Sequence, residues 1–404
     1  MKARLLLLVL FLLAFSVAPL AAQEAAVAEC VTDYDPEVDY FPDKVEPEFS
    51  QGWQVEYHNN YKVVDVLTPF PGATDADAIQ YVLVQCGTPA PEGFEDTQII
   101  EIPAGDVIAL GTSYIPQLNE LGLLDHLIGL DNLAFVSTPE VLDMIAQGKL
   151  IEVGSGASIN VEAVLDAEPS MVMTFVYSAS DADVHPALID AGIPVVIASD
   201  YIEHSPLGQA EWIKFTSLFY NAEAQANEVF DAKAEEYQAL ADLTAGLSDE
   251  DKPTVLWNSY TSYSNAWWIP GSESFAGQFV RDAGGTLILG GDPQVAGNID
   301  ASPFDFEVVY EAGLDADLWF PGTFGVRTLD DLIAQDERYA DFTAAQNGAV
   351  YNFDARENAN GGNDYFENGV ANPQDVLADL IKIMHPELLP DHELIYFRQL
   401  PPVE

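Results

Sequence analysis

Positive charge is what this chain of 404 residues lacks most. It has 14 lysines and arginines against 66 aspartates and glutamates, which gives a formal net charge of −52. Such an acidic surface repels phosphate backbones and anionic headgroups, so we expect neither nucleic acid nor an anionic membrane as a direct partner. The acidity is compatible with adaptation to salt or simply with high solubility, and it does not bear on the fold.

Cysteine is nearly absent as well. The two cysteines are Cys30 and Cys86, both in the first quarter of the chain. In an oxidising compartment they are expected to form one disulfide that closes the N-terminal segment. A lipid anchor on Cys30 is the alternative, but Glu29 precedes it where a lipidation motif requires a small residue.

Long apolar runs are confined to the N-terminus. The stretch MKARLLLLVLFLLAFSVAPLAAQ has two basic residues, an apolar run and then small residues, which predicts a secretory signal peptide over residues 1–22. Removal of Lys2 and Arg4 with it lowers the 14 basic residues to 12 and takes the net charge from −52 to −54. No later stretch approaches the roughly 18 apolar residues of a membrane span. We therefore expect an exported protein in the periplasm or at the extracellular face of the cytoplasmic membrane.

Familiar catalytic motifs are missing too. The sequence contains no GxSxG, HExxH or P-loop pattern. Its six histidines are scattered, and His385 and His392 lie in a segment broken by proline, so no metal site is predicted. Among so many carboxylates a glycosidase-like pair has no distinctive spacing, and a secreted carboxylate-dependent hydrolase stays an alternative. We predict a binding protein that is not an enzyme and needs no cofactor.

What the chain does contain first is a β-rich N-terminal segment. Residues 23–100 include the alternating runs WQVEY (53–57), YKVVDV (61–66) and YVLVQC (81–86). Alternation of apolar and polar residues is typical of half-buried strands. These residues are predicted to form a small β appendage.

The rest of the chain alternates apolar strands with helical stretches. This pattern covers residues 101–204 and 248–404, and it predicts parallel sheets covered on both faces. Between them, residues 205–247 carry apolar side chains at a 3.6-residue period with no glycine or proline after Gly208 until Gly246, which predicts one long helix. The predicted fold is therefore α/β: two Rossmann-like lobes with central parallel sheets joined by one long rigid helix, plus the β appendage.

The two predicted lobes share an acidic helix start. Residues 160–170 read NVEAVLDAEPS and residues 305–315 read DFEVVYEAGLD. In each, a glutamate (Glu162, Glu307) follows an apolar residue and opens a helix that leads to an apolar strand. The helix dipole alone favours glutamate at such positions, but the repeat of one architecture in both halves indicates that the two helices are equivalent.

Candidate ligand-binding residues lie where the predicted strands end. In open parallel sheets ligands bind beyond the carboxyl ends of the strands, and the loops there are rich in aromatic residues, which suit a ligand with flat or apolar faces. For each candidate residue, packing in the core is the alternative role. The arginines could either clamp an anionic chelate or pair with nearby acids. The candidates are Ser113, Tyr114, Tyr177, Tyr201, Tyr260, Tyr263, Trp267, Trp268, Phe324, Arg327, Arg356, Asn363, Asp364 and Tyr365.

Several segments, taken in order, resemble a known family. They are GKLIEVG (148–154), NVEAVL (160–165), GIPVV (192–196), SPLGQAEWIKF (205–215) and HPELLPDHELIYF (385–397). With their spacing, they make residues 101–404 similar to the iron-siderophore and cobalamin class of ABC-transporter solute-binding proteins. The β appendage lies outside this resemblance.

The resemblance implies a function. In that family two α/β lobes joined by a long helix hold a ligand in the cleft between them, and one surface glutamate per lobe docks on arginines of a two-fold permease. Glu162 and Glu307 occupy the matching positions. The resemblance thus implies a monomeric receptor that delivers a metal chelate to an ABC importer, with a ferric siderophore as the first choice and a cobalamin or other corrinoid as the second.

Overall fold

The computed structural model describes residues 30–94, 97–154, 158–177 and 185–401. The predicted signal peptide, residues 1–22, lies outside these ranges. Within them, no helix has both the length and the apolar composition needed to cross a membrane. The main hydrophobic core runs through the N-terminal sheet and both lobes, and a smaller cluster packs on the other face of the first lobe's sheet.

The N-terminal segment is a four-stranded sheet. Its strands are β1 (Trp53–Tyr57), β2 (Tyr61–Val66), β3 (Ile79–Gln85) and β4 (Gln98–Ile102), paired in that order. The three predicted strands are confirmed, and β4, which the sequence analysis missed, pairs parallel to β3. The predicted disulfide between Cys30 and Cys86 is present and ties the start of the described chain to the end of β3.

The first lobe, called the N lobe here, has a five-stranded sheet. Its strands are β5 (Val107–Ala109), β6 (Leu127–Leu130), β7 (Ile151–Glu152), β8 (Met171–Thr174) and β9 (Val195–Ile197), in the order β7-β6-β5-β8-β9. All neighbouring strands are parallel, which confirms the predicted sheet type. Its helices are α1 (Tyr114–Glu120), α2 (Pro139–Ala146), α3 (Val161–Ala167) and α4 (His185–Asp190).

The segment between the lobes corrects the prediction of one continuous helix. It forms α5 (Pro206–Ala210), α6 (Trp212–Ser217) and α7 (Glu223–Thr244). The main break lies before α7, where Asn221 has a φ of 53° that a helix cannot accommodate. There the Lys62 Nζ donates to Leu218 O at 2.8 Å, so a distant side chain satisfies a carbonyl that a continuous helix would pair internally. The same Nζ donates to the side-chain oxygen of Asn221, Oδ1, at 2.9 Å.

Helix α7 still connects the lobes as one stiff element. It has 22 residues, which corresponds to about 33 Å at 1.5 Å per residue. On the N-lobe side, the Lys233 Nζ donates to the Glu120 carboxylate of α1 at 2.6 Å. On the other side, the Tyr237 hydroxyl donates to Asp282 Oδ2 at 2.8 Å in the second lobe.

The second lobe, called the C lobe here, is built around a smaller parallel sheet. Its strands β10 (Thr254–Trp257), β13 (Thr286–Leu287) and β15 (Leu318–Phe320) run in the order β13-β10-β15. An antiparallel sheet contains β11 (Tyr260–Thr261), β12 (Ala266–Ile269) and β14 (Ser302–Phe304), and β16 (Tyr351–Asn352) pairs with β17 (Arg398–Gln399). The helices are α8 (Phe275–Asp282), α9 (Phe306–Gly313), α10 (Leu329–Ile333), α11 (Thr343–Gln346), α12 (Asn368–Ala371) and α13 (Pro373–Met384).

Topology supports the internal repeat seen in the sequence. Helix α3 leads into β8, which pairs with the first N-lobe strand, β5. Helix α9 leads into β15, which pairs with the first C-lobe strand, β10. The two acidic helix starts therefore occupy equivalent positions in the two lobes.

The N-terminal sheet is integrated into the N lobe and is not a peripheral appendage. The buried Glu211 carboxylate accepts hydrogen bonds from the main-chain N–H groups of Glu48, Phe49 and Ser50 at 2.8 to 3.0 Å. The Glu203 carboxylate accepts from Gln51 and Gly52 in the same way. The carboxylates of Glu211 and Glu203 therefore bind the main chain of residues 48–52, which lead into β1.

We predict that Glu211→Gln destabilises the protein by roughly 3 to 5 kcal/mol, because it removes the anionic partner of buried Lys214 and weakens three main-chain contacts. Urea unfolding followed by circular dichroism measures the change. The matched control is Glu235→Gln on the exposed face of α7, which should stay within about 0.5 kcal/mol of the wild type. A loss below about 1 kcal/mol for Glu211→Gln would mean that other contacts hold the segment.

Candidate ligand-binding cleft

The carboxyl ends of three neighbouring N-lobe strands open into a cavity of about 220 Å³. Ser113 lies beyond β5, Tyr177 beyond β8 and Tyr201 beyond β9, and all three line the cavity. Their loops meet because β8 lies between β5 and β9 and the three strands are parallel. Phe366 and Val370 of the C lobe form another part of the wall. The cavity therefore lies between the lobes.

An aromatic cluster forms the N-lobe wall of this cavity. It consists of Phe175, Tyr177 and Tyr201, whose ring centroids are 5.1 to 5.8 Å apart in edge-to-face contacts. The Tyr201 hydroxyl donates to Val176 O at 2.6 Å, which fixes the ring. Tyr177 is 67% exposed, so it can present its ring to a ligand. We call these three residues the N-side aromatic cluster.

A second aromatic cluster lies on the C lobe. Phe324 stacks on Phe366 with centroids 6.0 Å apart, and Phe353 contacts both rings at 5.7 and 5.3 Å. Phe366 lines the cavity, whereas Phe324, which is 64% exposed, contacts Phe366 without lining the cavity itself. We call these residues the C-side aromatic cluster. Apolar ring surface therefore reaches the cavity from both lobes.

The remaining wall is polar and belongs to the N-lobe side. Ser113, Asp200 and Gln209 all line the cavity, and Asp200 is 2% exposed. Burial raises the pKa of Asp200 to about 7, with a further contribution from the charge of Glu203, while a hydrogen bond from the Ser113 side chain acts in the opposite direction. The carboxyl group of Asp200 is therefore poised between its neutral and ionised forms near neutral pH.

The two candidate arginines are engaged with acidic neighbours. Arg327 pairs with Glu357 at 2.6 Å and with Asp354 at 3.3 Å. Arg356 pairs with Asp364 at 3.3 Å. Neither arginine lines the 220 Å³ cavity. Of the two roles that the sequence left open for these arginines, the structure shows the pairing with nearby acids.

The aromatic loop at 260–268 lies away from the cavity. Trp267 is fully buried and its Nε1 donates to Trp257 O at 3.0 Å. Tyr260 packs edge-on against Phe306, while Tyr263 and Trp268 are exposed. The loop follows β10 and forms part of the antiparallel sheet β11-β12-β14, and none of these four candidates lines the cavity.

The remaining candidates do not line this cavity. Tyr114 is fully buried and its hydroxyl donates to Ala198 O at 2.7 Å. Asn363 accepts from the Tyr365 N–H at 3.1 Å, and Tyr365 is itself buried. Asp364 accepts from Asn368 Nδ2 at 2.6 Å in addition to its pairing with Arg356. These contacts order the loop that carries Phe366 into the cavity.

Sequence reasoning missed several residues that line the cavity. Asp200 directly precedes Tyr201 at the end of an apolar run, so the strand-end rule could have found it. Phe366 directly follows Tyr365 in the glycine-rich loop. Gln209 lies inside α5, and no local pattern distinguishes it. The other missed residues are Gly111, Phe175 and Val370.

A larger groove of about 620 Å³ also lies between the lobes, and its lining includes Thr138 of the N lobe and the candidates Arg356 and Asp364 of the C lobe. A buried carboxylate joins the two lobes beside it. Glu367 of the C lobe accepts from the main-chain N–H groups of Ser137 and Thr138 at 2.9 and 2.7 Å. Burial raises the pKa of Glu367, and hydrogen bonds from Thr138 and Ser137 partly offset this. Gly362 lies so close to the chain that a Cβ there would approach Phe135 O to 2.2 Å. The lobes are therefore fastened together at this point.

The two repeated glutamates lie on the surface, away from the cavity. Glu162 is in the first turn of α3 and exposed, and no hydrogen bond or ion pair joins its side chain to the described residues. Glu307 is in the first turn of α9 with its side chain 76% exposed, and Arg338 of the same lobe approaches it at 3.5 Å. Each lobe thus presents one carboxylate at an equivalent helix start.

The described ranges contain no group of three or more histidine, cysteine, aspartate or glutamate side chains arranged to hold a metal ion. The cavity walls instead offer aromatic rings and polar side chains, which can contact the surface of a ligand.

Comparison with known sequences identifies relatives. A sequence model described as periplasmic binding protein matches residues 107–357. Two relatives are uncharacterized lipoproteins of Methanocaldococcus jannaschii. One is 25% identical over 339 residues, which is 80% of this chain and 81% of the relative. The other is 26% identical over 257 residues, 63% of this chain and 57% of the relative.

Comparison with solved structures indicates the same fold. A periplasmic binding protein from Veillonella parvula has a TM-score of 0.54 at 14% identity, covering 83% of this chain and 98% of its own. A periplasmic heme binding protein from Pseudomonas aeruginosa has a TM-score of 0.53 at 18% identity, covering 70% and 94%. An ABC transporter substrate-binding protein from Listeria monocytogenes has a TM-score of 0.52 at 16% identity, covering 70% and 100%.

We predict that Asp200→Asn stabilises the protein increasingly as the pH rises. The pKa of Asp200 is about 7 in the folded protein, against an ordinary value of 3.8, so the wild type loses folding free energy as the pH rises between these two values, where the unfolded chain has released the proton and the folded protein still holds it. The difference in unfolding free energy between variant and wild type should grow by roughly 2 to 3 kcal/mol between about pH 5 and about pH 8. Urea unfolding at several pH values measures it. The control, Asp166→Asn on the exposed face of α3, should give a constant difference, and a constant difference for Asp200→Asn would contradict the assignment.

Proposed function

Because this chain belongs to the periplasmic binding protein family, we propose that it is an exported receptor that captures a metal chelate between its lobes and delivers it to an ABC importer. The observation that carries the proposal is the interlobe cavity, with an aromatic cluster reaching it from each lobe. A ferric siderophore is the first candidate ligand. The proposed role is binding without turnover, performed by a monomer outside the cytoplasm.

The shape and lining of the cavity support a ligand with flat or apolar faces. Ring faces and edges bind such surfaces with little loss of conformational entropy. The cavity of about 220 Å³ is smaller than the roughly 300 to 1,000 Å³ of typical ligand sites. A bound chelate would therefore extend outward past Tyr177 and Phe324, the two exposed rings beside the cavity. We retain Ser113, Tyr177, Tyr201 and Phe324 as ligand contacts and add Asp200, Gln209 and Phe366.

The two exposed helix starts support a docking role. Equivalent carboxylates on two lobes can meet equivalent arginines on a two-fold permease, and charge-assisted pairs fix orientation as well as adding attraction. Glu162 and Glu307 are exposed, equivalent in topology and outside the cavity. We propose that they are the docking contacts.

The ligand class is tested by purifying the protein from its own host and measuring its absorbance spectrum and native mass. Ferric siderophores and corrinoids are both coloured and differ in mass, so a copurified ligand would be identified directly. We expect a ferric chelate. A corrinoid would keep the receptor role and change the ligand, whereas hydrolysis of chromogenic glycosides or esters with no chelate bound would contradict the receptor proposal.

We predict that Glu162→Ala combined with Glu307→Ala abolishes uptake while ligand affinity stays unchanged. Loss of one charge-assisted contact that is buried on docking costs roughly 2 to 5 kcal/mol, so loss of both should uncouple receptor from permease. Calorimetry measures ligand affinity, and uptake is measured in vesicles containing the permease.

The control for this experiment is Asp166→Ala combined with Glu311→Ala, which removes exposed carboxylates from the same two helices. It should leave uptake close to that of the wild type. Weakened ligand binding by the Glu162 and Glu307 variants would place these residues in the binding site instead, and normal uptake by the double variant would refute their docking role.

A further inference from the structure

The interlobe cavity contains no cationic side chain among the described residues that line it. Its ionisable groups are Asp200, Tyr177 and Tyr201, and no lysine, arginine or histidine lines it. The two arginines considered as an anion clamp, Arg327 and Arg356, are paired with acids and do not line it. An anionic ligand would therefore lose its hydration without gaining an opposite charge, which is costly.

A smaller enclosed pocket beside the cavity does contain a lysine, but its charge is already balanced. Lys233 lines this pocket together with Asp200, Ser113 and Gln209. Its Nζ donates to the Glu120 carboxylate at 2.6 Å and to Ala371 O at 2.7 Å. Glu203 adds a further negative charge close to Asp200. The groups around Asp200 therefore do not create a site for an anion.

The polar part of the cavity is equipped to accept hydrogen bonds. Hydrogen bonds from the Ser113 side chain and from the main-chain N–H groups of Asp200 and Tyr201 act on the Asp200 carboxyl. An ionised carboxylate has about four acceptor positions, which leaves room for a further donor. The Gln209 side chain, half-buried on α5, makes no hydrogen bond to the described residues and adds a carbonyl oxygen and an amide to the same wall. A ligand that carries N–H or O–H groups can satisfy these atoms.

We propose that Ser113, Asp200 and Gln209 form a charge-selective subsite that accepts a neutral or cationic chelate with a hydrogen-bond donor and rejects anionic chelates. This inference rests on the proposed receptor function and narrows its ligand class. Long-range electrostatics act in the same direction, because the chain's net charge of −52 lowers the local concentration of anions and raises that of cations.

A charge series on one chelate tests the subsite. The probes are a ferric trihydroxamate with a free primary ammonium group, the same chelate acetylated on that nitrogen, and the same chelate succinylated there to carry a carboxylate. Their metal centre and size are closely matched, so affinity differences report charge and hydrogen bonding. Quenching of intrinsic fluorescence measures affinity at constant ionic strength and about pH 8, where Asp200 is ionised.

We expect the cationic probe to bind the wild type roughly tenfold or more tightly than the carboxylated probe, with the acetylated probe between them. Asp200→Asn should reduce this ratio to about threefold or less, because the amide lacks the negative charge that favours the cation. The control is Asp131→Asn, a half-buried carboxyl in the same lobe that does not line the cavity, and it should keep the wild-type ratio.

The outcomes separate this inference from the receptor function. Equal or tighter binding of the carboxylated probe by the wild type overturns the inference and leaves the receptor role intact, whatever the variants do. An unchanged ratio in Asp200→Asn overturns the assignment to this subsite. If no probe binds, the charge of the chelate copurified from the host decides: an anionic chelate overturns the inference, and a neutral or cationic one supports it. Absence of any chelate overturns both proposals.

Discussion

Buried carboxylates that accept hydrogen bonds from main-chain amides hold this protein together. Glu211 holds the segment before β1, Glu367 fastens the C lobe to the N lobe, and Asp379 on α13 accepts from the main chain at residues 395–397. Among the described residues, some buried acids pair with a lysine or arginine, as Glu211 does with Lys214, but Glu203 and Glu367 have no such partner. Main-chain N–H groups supply the partners instead, and they satisfy buried donors at the same time.

This mode of attachment explains which parts of the fold were predictable. Alternating apolar runs predicted β1 to β3, and continuous apolar runs predicted the parallel sheets. Both could be predicted because the burial pattern of a strand is visible in its own sequence. The break before α7 was not predictable, since the capping partner of Leu218 O is Lys62, distant in sequence and brought close by the fold. The attachment of the N-terminal segment through Glu211 was not predictable for the same reason. In the sequence, Glu211 cannot be distinguished from other glutamates in helical stretches.

The candidate site shows a similar division. Strand-end reasoning found Ser113, Tyr177 and Tyr201 because parallel strands bring their carboxyl ends to one edge. It does not distinguish Trp267, because residues 260–269 form a hairpin in a separate antiparallel sheet and the Trp267 side chain is buried in the core. It also could not tell that Arg356 is paired with Asp364. The ion-pair partner of an arginine depends on which carboxylate the fold places beside it. Composition gives only the number of carboxylates in the chain.

The bridge between Glu367 and Thr138 has a kinematic consequence. Helix α7 attaches the lobes at one place, and this bridge attaches them at another. A rigid body held at two points retains a single degree of freedom, which is rotation about the line that joins them. Rotation about this line would change the width of the cavity without breaking either attachment. Sliding or twisting of one lobe against the other would require the bridge to break. Such motions would change the distance between the starts of α3 and α9 without changing the width of the cavity in step.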